Sequence, residues 1–155
     1  MGKYAKNTDV SPDKTLMEIQ ATLKRYQASK FGFIDEGDKI GVAFEMSGRR
    51  VRFVLPLPKP GDPVTRNKGG GPQGNRGAYN ANLYEQAVRQ CWRALLLCIK
   101  AKLESVEARI ETFDEAFMAQ LILPSGETMA QWAIPQLAKA FESGKMPPLL
   151  LESGS

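Results

Sequence analysis

The apolar residues of this 155-residue chain change their spacing twice, and this change restricts the possible folds more than any other feature. Between Leu16 and Tyr26 they recur every three or four residues, as on one face of a helix. Between Phe31 and Leu55 they alternate with other residues, as in strands with one buried face. Helical spacing then returns. A helix, a set of strands and further helices predict an α+β fold.

The N-terminal helix has a clear start. Ser11 is a good N-cap, and Pro12 suits the first helical position, where a backbone N–H is not needed. Leu16, Ile19, Leu23 and Tyr26 form the face expected to pack on the rest of the protein.

Three short alternating segments follow, separated by Glu36-Gly37-Asp38 and Ser47-Gly48. Turns this short join antiparallel neighbours, so the pattern predicts a three-stranded antiparallel meander with one buried face. The third segment would place Arg50 and Arg52 on the outer face of the sheet, with Arg49 at the turn.

Residues 57–78 have the composition of a loop. This stretch of 22 residues holds six glycines, four prolines, four basic residues and one acid. It lacks the apolar residues that would order it, and loops of this length are usually functional or disordered. We predict a flexible basic loop.

The chain then becomes helical to its C-terminal region. Residues 79–111 predict a long central helix, which is apolar all round at 94–99 and therefore belongs to the core or, over residues 83–110, to a homo-oligomer contact. Two shorter C-terminal helices are expected. Thr112 and Glu115 form a capping box for the first, which we expect to run to about Leu121.

The second short helix would begin after Thr128 and end at Gly144, with Pro135 marking a kink or a later start. It would contain Trp132, Leu137 and Phe141. The following segment, 146–151, is apolar enough to lie on the domain.

These patterns divide the chain into a mobile arm at 1–10, a single α+β domain at 11–151 that includes the 57–78 loop, and a tail at 152–155. A chain of this size can bury about two-thirds of its unfolded surface without a disulfide. Cys91 and Cys98 lie seven apart in a helix, about 10 Å, which is too far for a bridge. We therefore expect a reducing, cytoplasmic setting and no membrane association.

The chain contains no histidine, which excludes imidazole catalysis and histidine-ligated zinc. A magnesium site built from carboxylates stays open. Asp35, Glu36 and Asp38 precede Lys39, as in some nucleases, but Gly37 stands where the acid of an acid-x-Lys element belongs. We expect a non-enzymatic protein that needs no metal or cofactor.

Charge is distributed unevenly along the chain. Residues 1–110 carry 19 basic and 11 acidic side chains, whereas residues 111–155 carry 2 and 6. A basic sheet face beside a flexible basic loop suits a polyanion, and an exposed tyrosine could stack on a base. The candidate nucleic-acid-binding residues are Arg49, Arg50, Arg52, Lys59, Arg66, Lys68, Arg76, Tyr79, Arg89 and Arg93.

Several segments resemble a group of small uncharacterised proteins encoded by tailed phages and prophages. The resemblance rests on residues 15–26, 50–58, 93–107, 123–128 and 146–150. It implies a phage accessory protein in the cytoplasm of an infected bacterial host, acting on nucleic acid or on a host protein. The order of elements also resembles the double-stranded-RNA-binding fold, although residues 78–84 lack the lysines of that fold's second helix.

Together these features give two functional hypotheses. The first is binding of nucleic acid, with DNA favoured over RNA, through the basic sheet face and the loop. The alternative is an interaction protein that inhibits or redirects a host protein, for example a defence protein, through the acidic C-terminal third or the apolar region around Trp132.

Overall fold

The structure is a computed structural model, and it describes residues 5–69 and 76–146. It has the predicted α+β architecture, with an N-terminal helix, an antiparallel sheet, a long central helix and shorter C-terminal helices. The elements are α1 (Pro12–Arg25), β1 (Ser29–Asp35), β2 (Lys39–Met46), β3 (Arg49–Pro56), α2 (Ala81–Glu107), α3 (Phe113–Phe117) and α4 (Met129–Ser143).

The helix starts follow from local capping. The Ser11 hydroxyl accepts the Lys14 N–H, and Pro12 opens α1. The Asn80 side chain accepts two N–H groups at the start of α2. Because Asn80 is the cap, α2 begins two residues later than the predicted position 79, and it ends at Glu107 rather than 111.

The two C-terminal helices begin with the capping boxes Thr112/Glu115 and Thr128/Gln131. Helix α3 is shorter than predicted, because a 3₁₀ turn, Met118–Gln120, replaces its expected last turn. Helix α4 runs through Pro135 without starting later.

The sheet has the order β1-β2-β3, with both pairs antiparallel. A bulge interrupts β1 between Ser29 and Gly32, where Lys30 takes a left-handed φ of 52°. At the opposite edge of the sheet, Leu121 forms an isolated antiparallel β-bridge with Val51, and the Ile122 N–H donates to the Arg50 carbonyl. The chain after α3 thus covers the outer edge of β3.

Helices α1 and α2 pack together on one face of the sheet, which we call the inner face. The core joins residues of α1, the strands, α2 and α3, and these residues are almost fully buried. Its largest completely buried side chains include Ile19, Phe44, Leu96, Ile99, Leu103 and Phe117. In α2 the apolar run at 94–99 is not buried all round, because Leu97 and Cys98 are exposed.

Part of the N-terminal segment, residues 1–10 of which are predicted to be a mobile arm, contacts α2. Ala5 is buried, and the Gln86 side-chain amide donates to the Thr8 carbonyl at 2.7 Å. The Gln90 amide donates to the carbonyl of Lys6. Residues 5–8 therefore lie against α2, whereas residues 1–4 lie outside the described part of the chain.

Two predicted C-terminal segments, 146–151 and 152–155, lie wholly or partly outside the described residues. The expected packing of segment 146–151 falls outside the described residues after Met146, as does the 152–155 tail. In the described ranges, 5–69 and 76–146, no helix is both long and apolar enough to cross a bilayer.

Candidate nucleic-acid interface

The three arginines of the sheet differ in what their side chains contact. Arg49 binds the Asp114 carboxylate through two nitrogens, with Nε–Oδ1 at 3.1 Å and Nη2–Oδ2 at 3.2 Å. This pairing raises the pKa of Arg49 and lowers the pKa of Asp114. Arg49 therefore already has a carboxylate in the position that a phosphate would take.

Arg52 is also engaged with the C-terminal third. Its Nη2 donates to the Gly126 carbonyl at 3.1 Å and to the Gln131 side chain at 3.2 Å. Arg50 is exposed, and its cross-strand neighbour is Glu45, which pairs with Lys30 at 2.9 Å. Of the three arginines on the predicted basic sheet face, only Arg50 makes no side-chain hydrogen bond or ion pair among the described residues, and it lies beside a local ion pair.

Arg89 and Arg93 lie in the helical layer. The Arg93 guanidinium contacts the Glu18 carboxylate of α1 at 2.9 Å, and this hydrogen bond lowers the pKa of Glu18. Arg89 donates to the Gln86 side-chain oxygen on the preceding turn of α2. The helices cover the inner face, so these two arginines and Arg50 are on opposite sides of the sheet.

The remaining predicted residues gather where the 57–78 loop begins and ends. The Asn67 N–H donates to the Ala78 carbonyl, and the Gly77 N–H donates to the Asn67 carbonyl. Beside them, the backbones of Arg66 and Tyr79 form an isolated antiparallel β-bridge. Thr65 is buried, and its carbonyl accepts the Asn80 N–H at 2.8 Å. These contacts join the two ends of the loop on the N-terminal part of α2, a region we call the loop base (residues 59–69 and 76–80).

Side chains of the loop base are partly fixed by its own backbone. The Arg66 Nε donates to the Gly61 carbonyl at 2.7 Å, and the Asp62 carboxylate accepts the Lys59 N–H at 2.7 Å. Lys68 and Arg76 are exposed on either side of residues 70–75, which are not described. The flexibility expected of 57–78 stays a prediction, while its described ends have defined hydrogen bonds.

An open cleft of about 950 Å³ lies beside the loop base. Its lining combines two lysines, four side-chain amides and the first turns of α2, and no described lining residue is acidic. The polar lining residues are Lys6, Asn67, Lys68, Asn80, Gln86 and Gln90.

Two features strengthen the attraction of this cleft for an anion. Asn80 caps α2 at the cleft, so the positive end of a 27-residue helix points to this region. The first turn of α2 has no acidic residue to offset that charge. Tyr79, directly before the cap, is 49% exposed and lies across from Arg66.

Lys6, Gln86 and Gln90 were not predicted as site residues. Gln86 and Gln90 hold the backbone at Lys6, about eighty positions earlier in the chain, and so place its side chain at the cleft. A contact of this separation leaves no local pattern. The even spacing of polar residues 82, 86 and 90 along one helical face was the only available indication.

The acidic hairpin between β1 and β2 has the geometry of a solvated turn. The Asp35 carboxylate accepts the Gly37 N–H at 2.8 Å, and Glu36 pairs with Lys39 at 3.1 Å. Across the described residues, no group of three or more acidic or cysteine side chains is placed to hold a metal ion.

Comparisons with protein-family models, curated proteins and solved structures found no match. The resemblance to phage-encoded proteins therefore stays a prediction.

Proposed function

We propose that the protein binds a nucleic-acid strand at the loop base and its cleft. The proposal rests on the combination, in one concave region, of Lys6, Lys68 and the α2 N-terminus, with no acidic residue in the described lining. Arg76 and Arg66 extend the positive charge along the loop base. A polyanion gains affinity from each phosphate that such groups neutralise.

The chemistry of the cleft favours a single strand over a duplex. The amides of Asn67 and Gln86 are bonded within the protein, so the preference rests on base stacking, which needs bases that are not paired in a duplex. The exposed ring of Tyr79 offers a surface on which a base can stack. A strand of DNA is the first polymer to test, since these contacts do not require a 2′-hydroxyl.

The test is binding of a fluorescein-labelled 20-nucleotide DNA strand, measured by anisotropy at several salt concentrations. The double variant Lys68→Gln/Arg76→Gln removes two exposed positive charges. Neither side chain makes a hydrogen bond among the described residues, so the fold should not change. We expect about tenfold weaker binding at low salt. The slope of log K against log salt should become less steep by about 1.4, since each phosphate contact contributes about 0.7 on a single strand.

A variant with the same change in charge serves as the control. Arg25 and Lys100 line a shallow groove at the far half of α2, and Lys100 lies about 30 Å along the helix from Asn80. Arg25→Gln/Lys100→Gln should leave the affinity within about twofold. Equal losses in the two variants would mean that net charge, rather than the loop base, determines binding.

The second candidate function, binding to a host protein, is favoured by the apolar surface of α4. Ile134, Leu137 and Phe141 lie along one side of this helix and are 60%, 50% and 86% exposed. Binding through such a surface should change little between 0.1 and 0.5 M salt, whereas binding to a polyanion should be lost. Under either function we propose a phage accessory protein that acts in the host cytoplasm.

A further inference from the structure

Residues 5–8, which we call the N-terminal strap, supply one of the two lysines that line the cleft at the loop base. Ala5 anchors the strap, since it is 1% exposed, and the Thr8 N–H donates to the Ala5 carbonyl at 3.3 Å. Lys6 is exposed and lines the cleft. Its side chain makes no hydrogen bond or ion pair among the described residues, so its charge is available to a phosphate.

Two glutamine side chains of α2 hold this strap through its backbone. The Gln86 amide donates to the Thr8 carbonyl at 2.7 Å and to the Lys6 carbonyl at 3.3 Å. One turn further along α2, the Gln90 amide also donates to the Lys6 carbonyl. The backbone of the strap is therefore tied to one face of the helix, while the Lys6 side chain stays exposed.

Arg89 fixes the orientation of the first of these glutamines. Its Nη2 donates to the Gln86 Oε1 at 2.5 Å, and this leaves the Gln86 amide nitrogen for the strap. The Nε of Arg89 is buried without a hydrogen-bond partner among the described residues, and Arg89 is not part of the cleft lining. The Arg89 guanidinium is thus placed to act on Gln86 rather than on a ligand in the cleft.

We propose that Arg89, Gln86 and Gln90 are positioning residues, which act on a bound strand only through the strap that carries Lys6. Arg89 orients Gln86, and the two glutamines hold the strap. A lysine on a fixed backbone loses less conformational freedom on binding than one on a free segment. The inference rests on the proposed function for its ligand, and it gives Arg89 a role other than the phosphate contact predicted from its charge.

The salt dependence of strand binding distinguishes this role from direct contact by the glutamines. Gln86→Met/Gln90→Met removes the amides at similar side-chain length and changes no charge. It should weaken binding of the labelled 20-nucleotide DNA strand about threefold at low salt and make the slope of log K against log salt less steep by up to about 0.7, as Lys6→Gln should. Gln20→Met, the same change in α1 at a side chain without a described hydrogen bond, is the control and should alter neither quantity. A weaker affinity with an unchanged slope would indicate that the glutamines contact bases and would overturn the proposal.

Arg89 is tested by combining its substitution with that of Lys6. Arg89→Gln should weaken binding about twofold to threefold in the original protein, but less than about 1.5-fold when Lys6→Gln is present, because both changes act on the same contact. Arg89→Lys, which keeps the charge but has no planar guanidinium to orient Gln86, should behave like Arg89→Gln. Losses that multiply in the double variant would identify Arg89 as a separate phosphate contact and would contradict its assigned role.

Limited trypsin digestion measures the strap without nucleic acid, through cleavage after Lys6. The protease must draw out the backbone that the glutamines hold, so cleavage should be slow in the original protein. Gln86→Met/Gln90→Met should accelerate it at least about fivefold relative to cleavage after the exposed Lys145, which is remote in sequence and serves as an internal reference. Mass spectrometry of the products gives both rates.

The two measurements separate the possible failures. Unchanged cleavage after Lys6 in the glutamine variant would overturn the present inference alone. Absence of strand binding by the original protein would overturn the proposed function, and with it the role of the strap in binding.

Discussion

The three arginines of β3 show that residue type alone does not tell which side chains are available to bind a ligand. Arg49, Arg50 and Arg52 have the same side chain and lie within four positions, yet Arg49 and Arg52 bind the C-terminal third, whereas Arg50 makes no side-chain hydrogen bond among the described residues. The alternation of β3 predicted that Arg50 and Arg52 point outward. It contained no information on Gly126 or Asp114, which reach the same face from distant parts of the chain.

The pairing of Arg49 with Asp114 gives a prediction on pH. The pKa of Asp114 is lowered in the folded protein, so the unfolded chain takes up this proton first, near the ordinary value of about 3.9. The stabilisation is therefore present above pH 5 and is lost as the pH falls below 4. In urea unfolding, Asp114→Asn should be less stable than the original protein at pH 6, and the difference should shrink as the pH falls below 4 and through the lowered pKa of Asp114 in the folded protein.

The control for this comparison is Asp38→Asn, in an exposed turn where Asp38 has no ion pair among the described residues. Its stability difference should stay close to zero from pH 2.5 to pH 6. A difference for Asp114→Asn that is independent of pH would contradict the role of the ion pair.

Phe117 gives a prediction for the core. Its ring is completely buried and lies 4.7 Å from the ring of Phe113, measured between centroids, and 5.9 Å from that of Phe44. Phe117→Ala should lower the free energy of unfolding by about 3 to 5 kcal/mol, because it removes these contacts and leaves a cavity. Ile110→Ala, at a position 77% exposed, should change it by less than about 0.5 kcal/mol. Chemical denaturation measures both.

At the scale of elements, the structure combines a well-packed core with a weakly packed C-terminal helix. Helix α2 buries six residues, among them Trp92 and Leu96, whereas α4 has no buried residue. Pro135 further removes one backbone hydrogen bond from the middle of α4. Local opening of α4 should therefore cost much less free energy than unfolding of the core.

Hydrogen exchange measures this difference directly. We expect amides of residues 136–143 in α4 to exchange about a hundredfold or more faster than those of residues 95–103 in α2. Residues 15–23 of α1, which also contribute to the core, serve as the protected reference. Equal protection of α4 and α2 would show that the two helices unfold together.

The elements themselves were largely predictable because their determinants are local. Ser11 with Pro12, the Thr112/Glu115 box and the Ser47-Gly48 turn specify their helix starts and hairpin through neighbouring atoms. The end of α2 and the shortness of α3 were not predictable in the same way. They depend on how the chain turns beneath the sheet to place Phe117 in the core.

At the scale of the whole molecule, the candidate interface was predictable only in part. The basic composition of the 57–78 loop indicated Lys68 and Arg76, and Tyr79 was indicated separately as a stacking residue; all three lie at the loop base. The cleft depends on Lys6 and on two glutamines of α2, joined by contacts across about eighty residues. Part of the uneven charge along the sequence is paired in the fold, because Asp114 of the acidic C-terminal third pairs with Arg49 of the basic part.

The bulge in β1 has a consequence for how the protein behaves when it is concentrated. Residues Leu121 and Ile122 cover one edge of the sheet, while on the other edge β1 has no further strand beside it in the described chain. A straight exposed edge would be a template for pairing with other molecules. Here the bulge bends the backbone at Lys30, and the charged side chain at that point opposes the close approach of another strand. The same irregularity that breaks the ladder thereby protects the protein against edge-to-edge aggregation.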